Sequence, residues 1–264
     1  MINGPLASRL EGKVVDKWKV IKKRVKTPED DSGVFSSCYE VKNIEDNKSG
    51  YLKALNYVYA FRELTPGISS TVFLQNMTEN YNYEKDLLEF CKDKHMSRIV
   101  TAISHGEYRE TGEIYPVPYL VFEVASGSLK NFVQQKKLDM TWKLGSIHGF
   151  LVGLSQLHQS KIVHQDIKPS NILIFGNNVS KLSDLGNATK FDKKSPMWDK
   201  DGHCGDWSYA PIELLYGYCS PQWNTRRLGA DLFMAGGIIT YLITDSNFLT
   251  LLVANLRIPG HSGH

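Results

Sequence analysis

The sequence predicts an α+β chain in two lobes, an antiparallel-sheet lobe with one main helix followed by a mostly helical lobe. Three observations lead there. Runs rich in β-branched and aromatic residues fill most of residues 13–124. Helical periodicity takes over from Ser128, and the two regimes meet in the short stretch 123–127. At 264 residues, 42% hydrophobic and 22% charged, the chain has room for one large domain or two lobes and an ordinary globular balance.

The elements follow in order. Residues 1–12, MINGPLASRLEG, lack an apolar core of secretory type and are expected to form a loose tail. Residues 14–25 and 34–44 read as strands either side of a polar turn at 27–33, and residues 51–57 read as a third strand, which makes a meander. Residues 79–92 follow helical spacing, with Tyr83, Leu87, Leu88 and Cys91 on one face, and residues 99–107 and 119–124 return to strand character. Beyond Ser128, residues 129–135, 142–158 and 228–244 read as helices, while 172–175 and 179–182 form a hairpin signal around Gly-Asn-Asn.

Composition excludes several classes. The net charge of +3 is small for this length, and the basic residues between Lys13 and Lys26 alternate with Trp18, Val20, Ile21 and Val25, the pattern of a half-exposed strand rather than a nucleic-acid or membrane patch. Cys38, Cys91, Cys204 and Cys219 are scattered with no CxxC pair, so neither a disulfide framework nor a zinc site is indicated, and a reducing cytoplasm is the expected compartment. The apolar run 232–244 is bounded by Asp231 and Asp245 and falls short of the roughly 20 residues of a membrane helix. A buried helix is expected instead. No nucleic-acid or membrane partner is expected.

The chemistry gathers in HQDIKPSNILI, His164 to Ile174, a loop between an amphipathic helix and a short strand, where rigid elements commonly display functional groups. About ten residues on stands KLSDLGNAT, in which Asp184 ends a strand and Gly186 frees the backbone to turn. An Asp and an Asn on neighbouring loops are hard oxygen ligands suited to Mg²⁺, and Asp166 is then left to orient a hydroxyl.

These motifs, HQDIKPSN and DLG, resemble the catalytic loop and metal-binding motif of eukaryotic-type protein kinases, nearer the Ser/Thr class because of Lys168. The resemblance covers about residues 13–244 and implies a protein-kinase-like fold, an ATP-binding N-lobe over 13–124 and a C-lobe over 125–264 that lacks its last helices. It implies ATP and Mg²⁺ as cofactors and a protein substrate with Ser/Thr hydroxyls. In GYLKALN it places Lys53 on the α- and β-phosphates, with Glu84 of YEKDLLEF as its partner. In YLVFEVASGSL it places Phe122 behind the adenine, with the backbone of Glu123 and Ala125 along the adenine edge. Asp184 and Asn171 are the implied metal ligands, Lys168 the group on the transferred phosphate, Asp166 the acceptor's base, Asp231 a buried brace and His164 a structural residue. GDWSYAPIELL resembles the end of the activation segment, with PIE for APE.

Four departures matter. The phosphate-covering loop, DSGVFSSC, retains only Gly33 of three glycines, carries Asp31 and Ser36 at the others, and keeps Phe35 at its tip, so weaker nucleotide affinity is expected. Gln165 replaces the arginine that receives a loop phosphate, which implies activity independent of phosphate on Thr189, Ser195 or Ser208. Asp206 stands in place of a threonine. Finally, only about twenty residues follow the last long helix, so Phe248, Leu251, Leu252 and Leu256 are expected to be left for a partner or for self-association. Two rival readings stand beside the kinase: a nucleotide-binding pseudokinase scaffold, and a small-molecule phosphotransferase of the aminoglycoside or choline kinase kind.

Overall fold

Strand alternation sets the first sheet. In β1 (Val14–Val15) and β2 (Trp18–Lys23), Val15, Trp18 and Val20 turn inward while Val14, Lys19 and Ile21 stay exposed. The computed structural model describes residues 4–24, 36–58, 69–193 and 205–256. The expected continuous strand over 14–25 is two strands, because Asp16 adopts a left-handed φ of 52° and folds β2 back on β1. β3 (Ser36–Asn43), β4 (Ser49–Leu55), β5 (Ala102–Tyr108) and β6 (Val117–Glu123) complete a six-stranded sheet in the order β1-β2-β3-β4-β6-β5, antiparallel throughout. Gly50 is required in β4: a Cβ there would lie 2.9 Å from the Trp18 ring and 2.9 Å from Val121. The predicted turn at 27–33 lies outside the described residues.

The helix of this unit, α1 (Ser70–Asp93), starts nine residues before the predicted position 79. Its first turns carry Asn76, Thr78 and Asn80, weak helix formers with little periodic apolar signal. Packing supplies what propensity lacks, since Phe73 and Met77 form a small cluster with Tyr57, whose hydroxyl lies 3.1 Å from Thr78 Oγ1.

The loose tail expected over residues 1–12 is corrected for its described part. Leu6, Ala7 and Leu10 are buried in one cluster with Val15, Trp18, Tyr39 and Val121, covering one face of the sheet. The Tyr39 hydroxyl donates to the Ala7 carbonyl at 2.7 Å, Asn56 Nδ2 donates to Ser8 Oγ at 2.9 Å, and Arg9 pairs with Glu113. Three apolar side chains with no periodicity leave little trace in a sequence, yet they cover a face that would otherwise expose Trp18.

The chain divides into two compact units, the first holding residues up to Ser126 together with Ser183–Gly186. The second contains β7 (Gly127–Ser128), α2 (Leu129–Gln135), α3 (Met140–Gln159), β8 (Ile162–Val163), β9 (Ile172–Phe175), β10 (Val179–Leu182), β11 (Thr189–Lys190), α4 (Ile212–Leu215), α5 (Trp223–Thr244) and α6 (Phe248–Asn255). Ser128 and Asn131 form a capping box that starts α2, and Asp139 caps α3 through the Trp142 N–H at 2.7 Å. Asn177 and Asn178, both at φ 58°, turn the β9–β10 hairpin at the predicted Gly-Asn-Asn. The apolar tail is not left bare: α6, capped by Asn247, half-buries Phe248, Leu251 and Leu252 and stacks Phe248 edge-on to Phe233 at 5.7 Å, while Leu256 stays exposed. Among the described residues no single helix is long and apolar enough to cross a membrane.

Candidate active site

In the first unit three ionisable groups distant in sequence converge. Lys53 sits in β4 between Leu52 and Ala54, which enter the core, so its own side chain takes the other face of the sheet. Lys53 Nζ donates to Glu84 Oε1 at 2.9 Å and Oε2 at 3.2 Å, and to Asp184 Oδ1 at 3.3 Å. Burial by itself would lower the ammonium's pKa, but the carboxylates of Asp184 and Glu84 outweigh it and hold Lys53 above the ordinary lysine value. Glu84, on the buried face of α1, is raised, chiefly by burial with Asp184 adding to it and Lys53 opposing. Asp184 adopts φ 63°, a conformation few non-glycine residues take, and a Cβ at Gly186 would come within 3.3 Å of its Oδ1.

In the second unit the loop between β8 and β9 brings Asp166, Lys168 and Asn171 together. All three are buried. Asn171 Nδ2 donates to the Asp166 carbonyl at 2.9 Å and to its Oδ2 at 3.0 Å, and Asn187 Nδ2 approaches Oδ2 at 3.5 Å. Lys168 Nζ lies 3.4 Å from Asp166 Oδ2 and 3.8 Å from Asp206 Oδ2. The backbone N–H of Asp206 donates to Asp166 Oδ1 at 3.0 Å. Gly205 makes that approach feasible, because a Cβ there would overlap the Gln165 carbonyl oxygen and lie 3.0 Å from Asp166 Oδ1.

Asp231 of α5, fully buried, carries the loop from below. Its carboxylate accepts the N–H of His164 at 2.8 Å and of Gln165 at 2.8 Å, and its Oδ2 lies 2.8 Å from His158 Nε2. The His164 ring is buried and its Nδ1 accepts the Asp166 N–H at 3.3 Å, a structural use of that imidazole.

The other predicted residues are less tightly placed. Glu123 is exposed at the end of β6, in register with Gly50; Phe122 is half-buried opposite Tyr51; Ala125 is half-buried in the stretch that follows β6. Gly33, Asp31, Phe35 and Ser195 lie outside the described residues. Thr189, named as a phosphorylation candidate, is 1% exposed, and its Oγ1 accepts from Gln165 Nε2 at 2.9 Å. Asn187 and Arg227 escaped the sequence reading. The signal for Arg227 was its place four residues before Asp231 on an otherwise apolar helix face, which puts the two charges side by side.

Residues 32–251 match the protein kinase domain family. The chain belongs to the protein kinase family. A probable serine/threonine-protein kinase of Dictyostelium discoideum is 30% identical over 126 residues, 47% of this chain and 13% of the relative. A putative cyclin-dependent serine/threonine-protein kinase of the same organism is 31% identical over 159 residues, 58% of this chain and 21% of the relative. An Aurora kinase of Yarrowia lipolytica is 26% identical over 185 residues, 69% of this chain and 43% of the relative. The kinase thus spans less than half the length of each of these relatives. Its sheet with one long helix, followed by a mainly helical unit, is the α+β architecture of that family.

A protein kinase domain implies ATP together with a divalent cation. In the second unit Asn171 turns its amide nitrogen to Asp166, and in the first unit Asp184 carries a carboxylate beside Lys53. Among the described residues no group of three or more His, Cys, Asp and Glu side chains forms a metal cage.

Proposed function

We propose that this kinase transfers the γ-phosphoryl group of ATP to Ser/Thr hydroxyls of protein substrates, without needing phosphate on its own activation segment. The observation that carries this reading is the bidentate Lys53–Glu84 pair, with Asp184 beside it. A lysine in a strand is ordinarily solvated, whereas this one is fixed by two carboxylates, the arrangement that holds its head for phosphate oxygens.

The roles follow from the chemistry of each group. Lys53 holds the α- and β-phosphates, Glu84 orients Lys53, and the backbone of Glu123 and Ala125 borders the adenine. Asp184 and Asn171 supply oxygens to Mg²⁺, and Gly33 lets the backbone approach phosphate. When bound, the metal neutralises phosphate charge. Asp166 orients the acceptor hydroxyl and takes its proton, and Lys168 faces the charge on the transferred group. Independence from activation-segment phosphate is supported by Gln165, a neutral residue whose amide is already engaged by its neighbours. A cytoplasmic location and a protein partner over the exposed apolar residues of the second unit belong to the same proposal.

The test is transfer of label from γ-labelled ATP with Mg²⁺ to a generic Ser/Thr substrate protein, beside Asp166→Asn. Transfer by the parent and its loss in the variant support the kinase reading. Bound ATP without transfer supports the scaffold, and transfer to a small alcohol but not to peptides supports the small-molecule phosphotransferase.

A further inference from the structure

Gln165 is buried, with 2% of its surface exposed, and takes a left-handed φ of 65°. Every polar atom of its side chain is used. Nε2 donates to the Asn187 carbonyl at 2.8 Å and to Thr189 Oγ1 at 2.9 Å, and Oε1 accepts from Arg227 Nη1. Its backbone N–H is held by Asp231 Oδ1 at 2.8 Å. Arg227 is itself 1% exposed, and its guanidinium is pulled down in pKa by burial, with Asp231 opposing.

Only an amide meets these demands. Glutamate would accept from Arg227 but could not donate to Asn187 and Thr189, arginine would set a second guanidinium against the first, and methionine would supply no donor and only a weak thioether acceptor. The two segments joined here both bear on Asp166: Gln165 precedes it, and Asn187 reaches its Oδ2 at 3.5 Å.

We infer that Gln165 and Arg227 are positioning residues, a hydrogen-bond chain from α5 through the catalytic loop to β11 that fixes Asp166 permanently. The inference rests on the kinase reading and deepens it. The catalytic-loop position is filled from within by a buried cation on α5, so the orientation of Asp166 is built into the fold rather than conferred by modification of residues 187–193.

The experiment compares the full chain with Gln165→Met, Arg227→Met and the double variant, reading kcat and KM for ATP and the amide exchange of residues 187–191. Each single variant is expected to lower kcat about tenfold with KM for ATP within about twofold. The double is expected to fall no further than the worse single, because both cut one chain. Exchange at 187–191 is expected to speed up about tenfold. Losses that multiply in the double, or unchanged exchange in both singles, would overturn the inference. Should Arg227→Met not fold, Thr189→Val removes a single acceptor and is expected to lower kcat about threefold, with Thr189→Ser restoring it; equal activity in Val and Ser variants overturns the inference. If the parent transfers no phosphate at all, the kinase reading fails, while exchange still decides whether the chain of bonds ties the two segments.

Discussion

Replacing Asp231 tests the foundation of the catalytic loop. Its carboxylate accepts from two buried backbone N–H groups, those of His164 and Gln165, contacts His158, and stands four residues along α5 from buried Arg227. Asp231→Ala strands both amides, and a buried donor without an acceptor costs about 1–3 kcal/mol, so the pair costs about 2–6 kcal/mol. Arg227 also loses its counter-charge, which pushes the total toward the upper end. Asp231→Asn keeps one acceptor oxygen and turns an NH₂ toward the other amide, so one donor is stranded and the cost is about half. Urea unfolding followed by circular dichroism measures both, against a domain stability of about 5–15 kcal/mol. A loss below about 1 kcal/mol for Asp231→Ala would mean that the two amides find other acceptors, and the brace would be refuted.

Lys53→Met is expected to abolish transfer and to make stability depend on pH. Lys53 is raised in the folded state, so its contribution is present below the ordinary lysine value of about 10 and is lost as the pH rises beyond it; without it Glu84 rises further, and the penalty is largest near neutral pH and shrinks at acid pH as Glu84 takes up a proton. Urea midpoints at neutral and acid pH check this, and a penalty that grows on acidification contradicts it. Leu10→Ala, at a site with no exposed surface, should cost about 2–5 kcal/mol in the same assay. Ile114→Ala, at 86% exposure, should stay within about 0.5 kcal/mol. Gly205→Ala forces a Cβ against the Gln165 carbonyl and displaces the Asp206 N–H from Asp166, so kcat should fall about a hundredfold with ATP binding retained. Equal kcat in Gly205→Ala would show that Asp166 does not depend on that amide.

Elements bounded by their own chemistry were readable from the residues alone. The β9–β10 hairpin and α2 fall at the predicted positions because Gly-Asn-Asn and the Ser128 capping box fix their ends locally. The start of α1 was not readable, since Phe73 and Met77 gain their partner Tyr57 from the far side of residues 59–68. Nor was the packing of Leu6 and Leu10, whose partners on β2, β3 and β6 become a surface only when the sheet forms.

The site divides the same way. Asp166, Lys168 and Asn171 lie within six positions, and a loop that short must bring them close, so their meeting is nearly local. The Lys53–Glu84 contact spans 31 positions, yet each end sits in a periodic element whose facing could be read. Gln165, Thr189 and Arg227 have neither advantage. Their contacts span 24 and 62 positions, and no local spacing in the sequence pairs them with one another. What joins them is a count of donors and acceptors: an amide offers two protons and an acceptor oxygen, and Asn187, Thr189 and Arg227 require that set. A substitution that reads as the loss of an arginine at position 165 is therefore half of a paired arrangement, whose other half is the arginine on α5.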